Sequence, residues 1–130
     1  MTSRKMMQAY QNADRHAAAE SEDPHALVVL LLEELLRHMR LFVVTFEDGN
    51  ADSAARPQHF SRALTILYGL QTSLNFEQGG EIVENLFRLY EYARQQLLSA
   101  SRTDDITGTH AAINALENIY DAWSQIDVAK

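Results

Sequence analysis

The positions of proline and glycine constrain this chain most. Proline occurs only at Pro24 and Pro57, and four of the five glycines fall at Gly49, Gly79, Gly80 and Gly108. Between these breaks, apolar residues recur every three or four positions, the spacing that places side chains on one face of an α-helix. The first length runs from Pro24 to Phe46, with Asp23 as the expected N-cap and proline at the first helical position, and stops at Glu47-Asp48-Gly49-Asn50. After the polar stretch EDGNADSAAR, Pro57 opens a second length through Phe60, Ala63, Leu64, Leu67, Leu70 and Leu74, expected to end near Gly79-Gly80. A third begins about Glu81, whose charge suits a helix N-terminus, and continues through Ile82, Val83, Leu86, Leu89, Tyr90, Ala93 and Leu97 until SASRTDD breaks it. The last carries Ile106, Ile113, Leu116, Ile119, Tyr120, Trp123 and Ile126, with Gly108 a weak point in its first turn.

No stretch alternates with a period of two, so strands are not expected. Four amphipathic lengths joined by short loops predict an all-α fold, an antiparallel four-helix bundle. Residues 1–20 read as an additional N-terminal helical arm, and 21–130 as a single bundle domain. At 130 residues with 46% hydrophobic content, such a chain can bury a core without metal or disulfide staples.

Composition removes several function classes. Cysteine is absent, so there can be no disulfide framework, thiolate zinc site or cysteine nucleophile. The formal charge is −7, the lysines are Lys5 and Lys130 alone, and the arginines are scattered. That charge balance argues against a nucleic-acid partner, which needs clustered cations. The N-terminus lacks the apolar segment of a secretory signal. The longest apolar run, residues 26–32, is far shorter than the ~20 residues that span a bilayer, so stable membrane insertion is not expected. The expected location is the cytosol.

A catalytic constellation is equally hard to find. A di-metal bundle site needs paired Glu-x-x-His motifs facing inward. The one match, Glu22 to His25, straddles a helix start. Glu34 and His38 lie four apart but opposite Leu32, Leu35 and Met39, and read as a solvated surface pair. There is no G-x-S-x-G elbow and no phosphate loop, and Gly79-Gly80 is followed by an acidic residue that would repel phosphate. The expectation is a non-enzyme without cofactor or bound metal.

What remains is apolar surface. From Leu27 to Phe46 the first helix is hydrophobic on almost every side, although an outer bundle helix needs only one apolar stripe. Either the arm covers the surplus, or a partner helix docks there, or the two compete. Tyr90 and Trp123 sit at core spacing and read first as packing; Tyr92 is off the stripe, and Tyr10 lies in the arm.

The order of these features resembles the flagellin-specific export chaperone family of flagellar type III secretion, over nearly the whole chain. The resemblance rests on Tyr10 in an arm, the Pro24-His25-Ala26-Leu27 to Leu31 helix start, and Ser73-Leu74-Asn75 after the second helix. Its most specific part is Gly79-Gly80-Glu81-Ile82, Asn85-Leu86, Leu89-Tyr90 and Tyr92, followed by the late Trp123. Where the family usually has a tyrosine and a small residue in the first bundle helix, this chain has Leu32, Glu34 and Leu35.

The resemblance implies a bacterial cytosolic chaperone whose hydrophobic grooves take up the disordered C-terminal segment of flagellin. That segment would wrap round the bundle as helix, polymerisation would be prevented, and the complex would be recognised by a component of the flagellar export gate. The groove is then expected at Tyr10, Leu27, Leu31, Leu35, Met39, Phe42, Leu67, Leu70 and Leu74. Two rival readings are a metal-dependent helical-bundle enzyme and a helical adaptor that associates only with itself, as a homodimer.

Overall fold

The computed structural model describes residues 24–47 and 53–125. Those residues form four helices and no strand: α1 (Pro24–Glu47), α2 (Arg56–Thr72), α3 (Phe76–Thr103) and α4 (Thr107–Gln125), with a 3₁₀ turn at Ser53–Ala55 before α2. The all-α bundle is as the periodicity predicts. The arm, with Tyr10, and the Asp23 cap lie outside the described residues.

Proline opens both of the first two helices, where its missing N–H removes no intrahelical bond. The junction between them is tied by Arg56. Its Nε donates to Thr45 Oγ1 at 3.0 Å, and a terminal nitrogen donates to the Thr45 carbonyl at 2.7 Å. The same guanidinium lies 3.8 Å from the centre of the Phe46 ring.

Helix α2 ends earlier than the spacing suggests. The Thr72 hydroxyl donates to the Gly69 carbonyl, the Ser73 hydroxyl to that of Leu70, and the Ser73 N–H to that of Gly69. These bonds satisfy the last carbonyls at Thr72, so Leu74 falls in the connection and not in the helix. One helical turn follows from Phe76. The backbone then breaks at Gly80, with φ 58° and ψ −135°, a conformation open to glycine alone without strain. The long part of α3 therefore starts at Glu81, as expected.

At the far end, SASRT stays helical, and the stop comes at Asp104, with φ 63°. The Asp105 carboxylate accepts the Thr107 N–H at 3.0 Å and so caps α4. This bond holds the Asp105 carboxyl below the usual carboxylate range.

Helix α1 packs between α2 and α4, and α3 closes the square by packing on α2 and α4. The interior is built from Leu32, Leu35, Leu36, Met39 and Phe42 of α1, Leu67 and Leu70 of α2, Tyr90 and Leu97 of α3, and Leu116 of α4. Ala93, Ala100 and Ala112, all fully buried, let α3 and α4 approach closely. Each fully buried leucine contributes about 2 kcal/mol through removal from water. Polar seams register the helices. Tyr120 donates to Glu33 at 2.6 Å and Arg40 pairs with Glu117 between α1 and α4, while Gln71 donates to Glu91 at 3.2 Å between α2 and α3.

His38 corrects one expectation. Its ring is 7% exposed and sits in the α1–α2 seam, with Nδ1 3.1 Å from Nδ1 of His59. Glu34 Oε1 is 3.8 Å from the other ring nitrogen, so the pair exists but is not a solvated one. Position 38 lies at the edge of the buried stripe, three residues after Leu35 and four before Phe42, and the arrival of α2 covers it.

Candidate functional site

The start of α1, the end of α2, the start of α3 and the end of α4 meet at one end of the bundle. They leave a cavity of about 210 Å³. Its wall is apolar: Val28 and Leu32 from α1, Leu70 and Leu74 from α2 and its connection, Ile82, Val83, Leu86 and Tyr90 from α3, and Ile119 and Trp123 from α4. Ser73 and Asn75 add the polar edge. Ile82 is 69% exposed, so the cavity opens to solvent through an apolar lip.

The local sequence explains why the opening exists. Helix α2 stops at Thr72 and α3 is interrupted at Gly80, so this corner of the bundle is a connection and not packed helix. Across the opening, α1 and α4 are held together. His25 Nε2–H donates to the Trp123 carbonyl at 2.5 Å, and the two rings stack with centroids 5.5 Å apart. Trp123 Nε1 is shut away from solvent and meets no acceptor among the described residues. Burial pushes the Tyr90 hydroxyl up to about 12, so it is a neutral group on the cavity wall. The first turns of α1 are apolar on every side, and Leu27, Val28, Val29, Leu30 and Leu31 are each only half-buried. Among the described residues, no group of three or more potential metal ligands gathers.

Of the groove residues expected from the sequence, Leu70 and Leu74 line the cavity, and Leu27 and Leu31 are half-buried on the same end of α1. Leu35, Met39, Phe42 and Leu67 instead form the fully buried interior and do not line the cavity. A helix apolar all round first buries the stripe that faces its neighbours, and spacing does not mark which stripe that is.

The family signature is brought partly to the cavity. Leu86, Tyr90 and Trp123 line it, whereas Gly79 and Gly80 shape the connection beside it. Glu81 is exposed, Asn85 is exposed and accepts from Arg88, and Tyr92 is 40% exposed on another side of α3. Val28, Ile82, Val83 and Ile119 were read from the sequence as apolar helix positions, Ile82 also within the family signature, and not as groove residues. Their signal was present in the broad apolar stripes, but only the early end of α2 uncovers them.

The fold and the site together define an all-α bundle with a closed apolar core and one open apolar end. Comparison with known families is more specific. The model of the flagellar protein FliS family matches residues 6–130, and the chain belongs to that family, the flagellar secretion chaperones. It is 35% identical over 124 residues to the flagellar secretion chaperone FliS of Salmonella typhimurium, covering 92% of this chain and 88% of that one. The FliS chaperones of Escherichia coli and Vibrio cholerae are 29% and 26% identical, each over at least 95% of this chain and at least 89% of their own length. The resemblance drawn from Gly79-Gly80 and its neighbours is therefore correct. No helix among the described residues is long and apolar enough to cross a membrane.

Proposed function

We propose that this chain is a cytosolic export chaperone that holds the disordered C-terminal segment of flagellin as helix against its apolar surface. Holding the segment would prevent premature polymerisation and deliver the client to the flagellar export gate. The observation that carries this reading is the open apolar end, the cavity ringed by Leu70, Leu74, Ile82 and Leu86 together with the half-buried first turns of α1. Family membership supports it. A helix laid along such a surface buries its own apolar stripe at about 25 cal/mol per Å², which offsets the ordering cost of a disordered tail.

The test is titration of the purified chain with the C-terminal tail of each flagellin from the same bacterium, followed by calorimetry and by the gain of helical circular dichroism. Saturable binding with added helix is expected. Absence of binding by every such flagellin would overturn the proposal.

A further inference from the structure

Helices α1 and α2 are joined, at the end of their seam away from the cavity, by two histidines whose ring protons are assigned from their hydrogen-bond partners. Arg37 directs a terminal nitrogen at His38 Nε2, 3.4 Å away. Guanidinium can only donate, so Nε2 presents its lone pair and the His38 proton sits on Nδ1. That Nδ1–H then donates to His59 Nδ1 at 3.1 Å, leaving the His59 proton on Nε2. His38 is neutral in this arrangement, and the nitrogen that a further proton would occupy already faces Arg37. A proton added to His38 must go on Nε2, against Arg37.

We infer that the His38–His59 contact is a proton-sensitive latch, which holds α1 to α2 while His38 is neutral and releases the seam on acidification. The charged groups facing it are Glu34 and Arg37 on α1 and Arg62 on α2. Arg37 and Arg62 oppose a new positive charge. Glu34 favours one, but it is already bonded to Arg37 at 3.1 Å. Burial comes first among the causes that lower His38 from 6.5 to about 4, followed by Arg37. Because the folded value lies below the unfolded one, the unfolded chain takes up the proton first as pH falls. Stability contributed by His38 is complete above about pH 6.5 and is lost progressively towards pH 4. Release would uncover the tilted Phe42–Phe60 ring pair, whose centroids are 5.8 Å apart in the same seam.

Proton NMR titration of the intact chain reads the latch directly. The His38 ring is expected to remain neutral down to about pH 5. A midpoint at or above about pH 6 would overturn the inference. Urea unfolding of the same chain should show the ratio of folded to unfolded protein falling roughly 10²-fold more between pH 7.5 and 4.5 than in His38→Gln. An equal fall in the two would also overturn it. Should His38→Gln not fold, the NMR midpoint decides alone.

Discussion

Replacing Gly80 with alanine isolates the backbone of the α2–α3 connection from its packing. A Cβ placed at Gly80 meets nothing within 4 Å, so any cost of the substitution is conformational. With φ 58° and ψ −135°, an alanine there occupies a region that side chains rarely enter, at about 1–3 kcal/mol. Gly69 supplies the matched comparison. It lies inside α2, its Cβ also meets nothing within 4 Å, and its φ is ordinary. Alanine at 69 should therefore stabilise by roughly 0.5–1 kcal/mol through its better helix propensity. The same chemical change is expected to have opposite signs eleven residues apart. Urea unfolding at neutral pH measures both, and the two midpoints should move apart by roughly 1.5–4 kcal/mol in total. If Gly80→Ala is within about 0.5 kcal/mol of the parent chain, or if both variants shift in the same direction, the break at Gly80 is not the strained feature described here.

Other expectations follow from the core, the seam and the cavity. Phe42→Ala removes a fully buried ring and should cost about 3–5 kcal/mol in urea unfolding. Glu91 accepts from Arg94, Gln95 and Gln71, which holds its carboxyl down at about 2. Its contribution is therefore present above about pH 4.5 and lost as pH falls towards 2. Since that side chain is about one-third exposed, Glu91→Gln at pH 7 should cost no more than about 1 kcal/mol. Ile82→Asp charges the exposed lip of the cavity. It should weaken flagellin-tail binding about tenfold or more in calorimetry while leaving the unfolding midpoint within about 0.5 kcal/mol of the parent.

Helix number, order and approximate bounds were legible because proline, glycine and apolar spacing act locally. Pro24, Pro57 and Gly80 each do in the structure what their backbone chemistry requires. The end of α2 was not legible, since it depends on Thr72 and Ser73 hydroxyls turning back on carbonyls, and those residues are equally at home in a helix. His38 was misplaced for a different reason: its spacing from Leu35 and Phe42 sets it only at the edge of the buried stripe, and the packing of α2 decides that the edge is covered. The candidate site was visible in type, as surplus apolar surface on α1, but not in position. Leu35, Met39 and Phe42 have the same chemistry as Leu27 and Leu31, and only the packing of three other helices separates interior from opening.

The contact between His25 and Trp123 joins the first turn of α1 to the last of α4, beside the cavity. A label attached at Pro24 or Gln125 would therefore sit beside that rim and hinder whatever docks there. The connection between α1 and α2 lies the length of α1 away, 24 residues or about 36 Å. For a fluorophore, an immobilisation handle or a crosslinker that must report on loading without disturbing it, the far end of α1, at the exposed Glu47, is the better attachment point.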